Sequence, residues 1–131
     1  MVKYTAKDGR EYTLRFDLSA MKAMNEKYGD YSKGFKELYR GDVDSVRDIF
    51  VILATAGEEY MAEEQGMKSI VQITGEGIIS DHMSIGKLKG VMKAIDEAVK
   101  DGNRTMYADE EDNGVRDGYL EELKQAEAEK N

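Results

Sequence analysis

The sequence lacks cysteine, proline and tryptophan entirely, and it contains a single histidine. Without cysteine the chain can form no disulfide and offers neither a thiol nucleophile nor a thiolate metal ligand. Without proline no residue obliges a helix to end, which favours a mainly helical chain. His82 has no recognisable catalytic or metal-binding partner in the sequence, so we expect it to lie on the surface.

Long apolar runs are also missing. The longest, IFVILATA at 49–56, corresponds to about two helical turns, whereas a helix needs about 20 apolar residues to cross a bilayer. The first residues, MVKYTAKDG, lack the apolar core of a secretion signal. We therefore expect no membrane segment, and the absence of cysteine is in keeping with a reducing cytosol.

Basic residues are outnumbered by acidic ones, which gives a formal net charge of −8. Residues 109–131 hold nine acidic and three basic side chains and so carry −6 of that total. Because phosphate backbones repel an acidic surface, we expect no direct binding to nucleic acid. The acidic charge does not exclude binding to a basic partner or mimicry of nucleic acid.

The N-terminal stretch alternates apolar and polar residues, which predicts a β-hairpin. A two-residue turn at Asp8 and Gly9 would place Tyr4 opposite Thr13 and would mix apolar with polar faces. A loop one residue longer, with Gly9 left-handed, would place Tyr4 opposite Tyr12 and keep one face apolar. We therefore predict the three-residue loop, a type I turn with a glycine bulge.

The stretch RFDLSAMKAMNEKYG, residues 15–29, predicts a strand that runs directly into a helix. Asp17 is a good N-cap, since its carboxylate can accept the free N–H groups of the first turn. Phe16 and Met21 have the spacing of a hydrophobic staple, and Gly29 is a natural helix end. The predicted inward face of this helix consists of Leu18, Met21, Met24 or Asn25, and Tyr28.

Three further helices are predicted from apolar periodicity and capping residues. They are a short helix at 31–41 that Gly34 weakens, a long and central helix at 43–64 capped by Asp42 or Asp44, and an amphipathic helix at 84–100 that Ser84 caps and Gly102 ends. The apolar stripe of this last helix is predicted to begin at Ile85 and to include Val91. For 67–83 the β-branched residues favour a strand and the apolar spacing favours a helix. A short helix or an irregular segment is our interpretation there.

These elements predict an α+β fold that is mainly α. It consists of an N-terminal β-hairpin followed by a bundle of about four helices and an acidic C-terminal tail. We expect residues 1–102 to form a single globular domain. Residues 103–131 are then an acidic linker and a helical or disordered tail.

No residue pattern predicts catalysis, a cofactor or a metal, so we expect the chain not to be an enzyme. The segment 109–120 resembles a calcium loop, but Leu120 stands where a bidentate glutamate is needed, and a solvated acidic turn is favoured. Four glutamates at the polar end of the long helix are expected to form a solvated face. They are Glu58, Glu59, Glu63 and Glu64.

Aromatic and methionine side chains are the candidates for contact with a partner. Aromatic residues dominate interface hot spots, and flexible methionine adapts to varied apolar partners. For the six internal methionines a methionine-rich core is the favoured interpretation, and for the aromatics packing onto the central helix. The candidate partner-binding residues are Tyr31, Phe35, Tyr39, Met61 and Met67.

Three motifs follow the predicted elements in order: F-x-L-x-A-M/L-x-x-x-E-x-x-G, then A-x-A-G, then A-I-x-E-A. They are matched by Phe16, Leu18, Ala20, Met21 and Gly29, with Glu26 near the acidic place, by Ala54, Ala56 and Gly57, and by Ala94, Ile95, Glu97 and Ala98. Through these motifs residues 1–102 resemble the small tail assembly chaperones of long-tailed bacteriophages and prophages.

The resemblance implies a non-enzymatic protein of the host bacterial cytoplasm that is absent from the mature virion. Such a protein binds the long, apolar tape measure protein, keeps it soluble and helps to recruit the major tail tube protein. The resemblance implies no cofactor and no catalytic residue, and it leaves open whether the chain forms a homo-oligomer. Two alternatives stay open: a structural tail or head-completion protein, and an acidic inhibitor or regulator that binds a basic partner.

Overall fold

The computed structural model describes residues 1–67, 70, 72–75 and 78–106. Within these ranges an antiparallel two-stranded sheet precedes four helices, which confirms the mainly helical α+β fold. The elements are β1 (Val2–Thr5), β2 (Glu11–Leu14), α1 (Leu18–Tyr28), α2 (Tyr31–Tyr39), α3 (Val43–Glu64) and α4 (Ile85–Met106). The acidic segment 107–131, with the calcium-like stretch 109–120, lies outside the described residues.

The hairpin has the predicted register, in which Tyr4 is paired with Tyr12. The Ala6 N–H donates to the Arg10 carbonyl at 2.9 Å, and the Gly9 N–H donates to the Ala6 carbonyl at 2.9 Å. Gly9 has a φ of 84°, a left-handed conformation that glycine adopts without a steric penalty. The three-residue loop with a glycine bulge is therefore confirmed.

α3 is the central helix, as predicted, because β2, α1, α2 and α4 all pack against it. Asp42 caps its start by accepting the Ser45 N–H at 3.1 Å. The ring of Phe50 meets Tyr4 and Tyr12 edge-on, at centroid distances of 5.4 and 5.8 Å. These contacts tie the hairpin to the core. Fully buried side chains of α3 include Val46, Ile49, Phe50 and Leu53.

The free edge of β2 is covered by α3. The Arg15 N–H donates to the Leu53 carbonyl at 3.0 Å, and the Thr13 N–H donates to Glu58 Oε1 at 3.3 Å. Gly57 lies on the Thr13 carbonyl, where a Cβ would collide. The prediction that Glu58 belongs to a solvated face is therefore wrong. Its carboxylate is half-buried and satisfies an edge-strand donor that would otherwise be open to a foreign strand.

α4 does not end at Gly102, as the sequence had indicated, but continues to Met106. Gly102 is buried and helical, and it lies against the Phe16 carbonyl, where a Cβ would collide. The glycine thus serves close packing of two backbones rather than a left-handed helix end. The predicted cap is confirmed, since Ser84 Oγ accepts the Lys87 N–H at 3.2 Å.

α1 begins and ends as predicted, and Met21, Met24 and Tyr28 of its predicted inward face pack in or against the core. Asp17 accepts the Ala20 N–H at 3.0 Å, and Gly29 ends the helix with a φ of 81°. The buried residues are Ala20 and Met24, whereas Leu18 is 74% exposed. Leu18 lies about 200° around the helix from Ala20, since successive residues advance by about 100°. The prediction that Leu18 faces inward is therefore wrong.

Arg47 of α3 holds the segment that follows this helix. Its Nε donates to the Ile79 carbonyl at 2.9 Å, and its guanidinium pairs with Asp81 at 2.7 Å. Gly75 leaves room for the Arg47 side chain, because a Cβ there would collide with it. The described residues between 67 and 83 contain neither helix nor strand, so the irregular alternative holds for them. Three isoleucines anchor this segment in the core: Ile73, Ile78 and Ile79.

Candidate partner-binding surface

α2 carries three of the five candidate residues, and its position depends on α1. Asp30 caps α2 by accepting the Ser32 N–H at 3.0 Å. Gly34 is buried, and a Cβ there would meet the side chains of Met24 and Tyr28. Gly34 therefore does more than weaken the short helix. It lets α1 and α2 approach closely, which directs the aromatic side of α2 onto the strand–helix junction.

Tyr31 and Phe35 form an aromatic cluster with Phe16. The ring centroids of Phe16 and Phe35 are 5.5 Å apart, those of Tyr31 and Phe35 are 6.0 Å apart, and those of Phe16 and Tyr31 are 6.3 Å apart. Phe16 is buried, whereas Tyr31 and Phe35 are half-buried and pack against the core. The two α2 residues thus stabilise the fold and also present part of their rings to solvent.

Tyr39 is the most exposed member of the candidate set, at 63%. Its hydroxyl donates to Asp96 Oδ1 of α4 at 3.1 Å. Asp96 also pairs with Lys100 at 2.9 Å through its other carboxylate oxygen. The side chain is therefore anchored at its polar end while most of its surface is exposed to solvent, an arrangement suited to interface tyrosines. We call Tyr31, Phe35 and Tyr39 the aromatic group.

Met61 and Met67 lie elsewhere, at the far end of α3. Met61 is in the last turn of the helix, about 27 Å along its axis from the first residue. The Met67 N–H donates to the Ala62 carbonyl at 2.8 Å, and the Met67 side chain is 57% exposed. Because α2 ends at Tyr39, just before α3 begins, Tyr39 lies near the start of α3, and the candidates form two groups, one on α2 and one at the end of α3. We call Met61 and Met67 the methionine group.

The remaining internal methionines belong to the core, as the favoured interpretation had it. Met24 is fully buried. Met21, Met83 and Met92 are partly buried and pack against the core cluster.

Sequence reasoning missed two exposed apolar side chains, Leu18 and Ile85, each 74% exposed. Each is the first residue of its helix, at a position that apolar spacing alone had placed inward. The buried residues Ala20 and Val91 mark the true inward faces. The angular positions of Leu18 and Ile85 around their helix axes, measured from Ala20 and Val91, are the signal that could have corrected both inward assignments.

Tyrosine burial dominates the electrostatics around the core. Desolvation by burial raises the pKa of Tyr28, nearby Asp48 raises it further, and Ser45 partly opposes the rise. In the described part of the chain the Tyr28 hydroxyl is buried without a hydrogen-bond partner of good geometry, although Ser45 is near enough to influence it. Burial likewise raises the pKa of Tyr4.

The described residues offer little reactive chemistry. Within them no group of three or more His, Asp and Glu side chains is arranged to hold a metal ion. His82 is exposed, as predicted, and its N–H donates to Ser80 Oγ at 3.1 Å. No helix in the described ranges is long and apolar enough to span a membrane. What the surface does offer is apolar side chains for contact with another chain.

Comparison with protein-family models, with curated proteins and with solved structures finds no match for this chain. Function therefore has to be inferred from the sequence motifs and the surface geometry.

Proposed function

We propose that this protein is a non-enzymatic tail assembly chaperone that binds the tape measure protein and keeps it soluble during tail assembly. The observation that carries the proposal is the solvent exposure of Tyr39 and Met67. The resemblance of residues 1–102 to such chaperones supplies the client. The host cytoplasm is the proposed location, and the mature virion is expected to lack the protein.

The two apolar groups suit a long helical client better than a compact one. Tyr39 lies near the start and Met67 just beyond the end of a 22-residue helix, and an extended partner is long enough to reach both. Aromatic side chains supply rigid contact area, and methionine adapts to varied apolar faces. Two weak contacts on one client also act together, because the first raises the effective concentration for the second. Recruitment of the major tail tube protein is the second role that the resemblance implies.

Co-expression with the tape measure protein of the same phage or prophage tests the proposal. We expect the soluble fraction of that protein to rise and a complex to co-purify through a tag on either chain. A matched culture that expresses an unrelated acidic helical protein controls for general effects of co-expression. An unchanged soluble fraction with no co-purified complex would count against the proposal.

A structural tail or head-completion protein would also bind phage components, so binding alone does not distinguish the two functions. Mass spectrometry of purified virions distinguishes them, because it shows whether the protein is part of the particle. The chaperone is expected in the infected-cell lysate and not in the purified particle. Stoichiometric recovery from virions would favour the structural alternative.

A further inference from the structure

The first half of α4 carries positive charge with no local compensation. Lys87, Lys89 and Lys93 are exposed, and no acidic residue lies between Met83 and Ile95. In the part of the chain that the structure describes, none of the three lysines has an ion-pair partner. Cations at a helix N-terminus also oppose the helix dipole. We call these three lysines the basic face.

Two glycines on the same exposed side are not explained by the fold. A Cβ at Gly86 or Gly90 would meet nothing within 4 Å, unlike one at Gly57 or Gly102. Each such glycine makes the helix about 1 kcal/mol less stable than alanine would. Both leave the helix backbone bare beside Lys89 and Lys93, where another segment could approach closely. Ile85, 74% exposed, lies at the start of this surface.

The complementary charge is on the same chain. Residues 109–131 carry nine acidic and three basic side chains, a net −6 out of −8 for the whole chain. The rest of the chain is therefore close to neutral, at −2. Within the acidic segment, Leu120 and Leu123 flank the pair Glu121 and Glu122. This composition matches a surface of lysines, bare backbone and one exposed isoleucine.

The acidic segment is also long enough to reach the basic face. Lys93 lies about 20 Å and Lys87 about 28 Å back along α4 from Met106. Glu121 and Glu122 follow Met106 by 15 and 16 residues, and a chain of that length spans at most about 50–58 Å, which exceeds both distances. Because the segment and the basic face belong to one chain, their contact is intramolecular and its effective concentration is raised.

We propose that the acidic segment 107–131 docks on the basic face of its own α4, with its glutamates beside the lysines and its leucines over Gly86 and Gly90. The contact shields the basic face from other acidic chains. An acidic partner then has to displace the segment before it can bind there. This inference does not depend on the chaperone function.

The test uses the full chain with a nitroxide label on Gln125→Cys, the only cysteine in the protein. At low salt the label should broaden the amide signals of 85–95 well below their diamagnetic intensity, because a tethered contact is favoured by its effective concentration. Signals from α1 should be unaffected. In 1 M NaCl, where the Debye length is about 3 Å, the broadening should disappear.

Charge reversal supplies the matched variants. Lys87→Glu/Lys89→Glu/Lys93→Glu should abolish the broadening, and it should also favour the helix, because acidic residues suit its N-terminal end. Lys22→Glu/Lys33→Glu/Lys36→Glu changes the net charge equally at exposed lysines of α1 and α2 and should leave the broadening unchanged. Adding Glu121→Lys/Glu122→Lys to the Lys87→Glu/Lys89→Glu/Lys93→Glu variant should restore part of the broadening.

Several results would overturn the inference. They are uniform broadening over all faces, broadening that survives 1 M NaCl, and equal loss in the two lysine variants. A fourth is equal broadening in a mixture of two chain populations, one with the nitroxide and the other with the isotope label, since that would place the contact between molecules. The salt titration on the unmodified lysines decides the question even if a triple variant fails to fold.

Discussion

At the scale of single residues, glycine has opposite roles at two pairs of positions. Gly57 lies on the Thr13 carbonyl and Gly102 on the Phe16 carbonyl, so both helices approach the strand–helix junction at backbone distance. Gly86 and Gly90 face open space. The first pair allows packing that no other residue permits, whereas the second pair only lowers the stability of α4.

Alanine substitution should distinguish these roles by the sign of the change in the free energy of unfolding. Gly57→Ala and Gly102→Ala should each lower the free energy of unfolding by about 1–3 kcal/mol, because backbone has to shift away from the added Cβ. Gly86→Ala and Gly90→Ala should each raise it by about 0.5–1 kcal/mol. Urea unfolding followed by circular dichroism measures all four. Stabilisation by Gly57→Ala or Gly102→Ala would contradict the close contacts.

The buried Tyr28 hydroxyl should make stability depend on alkaline pH. Burial raises its pKa in the folded chain above the ordinary value of 10.0. The folded state therefore holds the proton more tightly, and this contribution is complete below pH 10 and is lost as the pH rises through the folded pKa. Tyr28→Phe should unfold at nearly the wild-type urea concentration at pH 8 and lose less stability above pH 10.

Urea midpoints for Tyr28→Phe and wild type across this pH range provide the measurement. Tyr4→Phe should show the same direction of change, since burial also raises the pKa of Tyr4. Parallel pH profiles for wild type and Tyr28→Phe would show that the Tyr28 hydroxyl does not titrate differently on folding.

At the scale of elements, local chemistry decided what could be predicted from the sequence. Asp17, Asp42 and Ser84 each cap a helix through a contact with the residue three positions away, so their roles can be predicted from spacing. The hairpin register likewise follows from alternation and one glycine.

Contacts between elements could not be predicted in this way. Gly102 looked like a helix end because its partner, the Phe16 carbonyl, is far away in sequence. Glu58 looked solvated because its partner, the Thr13 N–H, lies 45 residues away. The candidate surface was predicted only as a residue list, since the division into two groups depends on how α2 and α3 are arranged.

Arg47 should control the opening of the segment after α3. Its hydrogen bond to the Ile79 carbonyl comes from a charged donor and is worth about 1.5–3 kcal/mol, whereas its pair with Asp81, whose side chain is 78% exposed, contributes about 0–1 kcal/mol. Arg47→Met should therefore speed amide hydrogen exchange at 78–83 by about tenfold or more, with little change in the first half of α3.

Arg40→Met is the matched control for this prediction. The Arg40 side chain is 74% exposed and pairs with Glu37 on the same helix, and exposed pairs of this kind contribute about 0–1 kcal/mol. Equal exchange rates at 78–83 in the Arg47 variant and in wild type would show that the buried isoleucines alone hold the segment.

At the scale of the whole molecule, the net negative charge, the exposed apolar candidates and the basic face belong to different parts of the chain. The packed domain is close to neutral, and most of the net negative charge follows α4. The candidate partner-binding residues lie on α2 and near the end of α3, and the basic face lies on the first half of α4. The proposed chaperone function and the proposed docking of the acidic segment therefore use different surfaces and can be tested separately.

The most direct test of the chaperone account is the dissociation constant for a soluble segment of the tape measure protein. Tyr39→Ser/Met67→Ser removes one exposed side chain from each apolar group, and Leu18→Ser/Ile85→Ser removes two that are at least as exposed but lie outside both groups. We predict binding at least about tenfold weaker for the first variant and within about twofold of wild type for the second. Equal weakening by both variants, or no binding by the wild-type chain, would contradict the account.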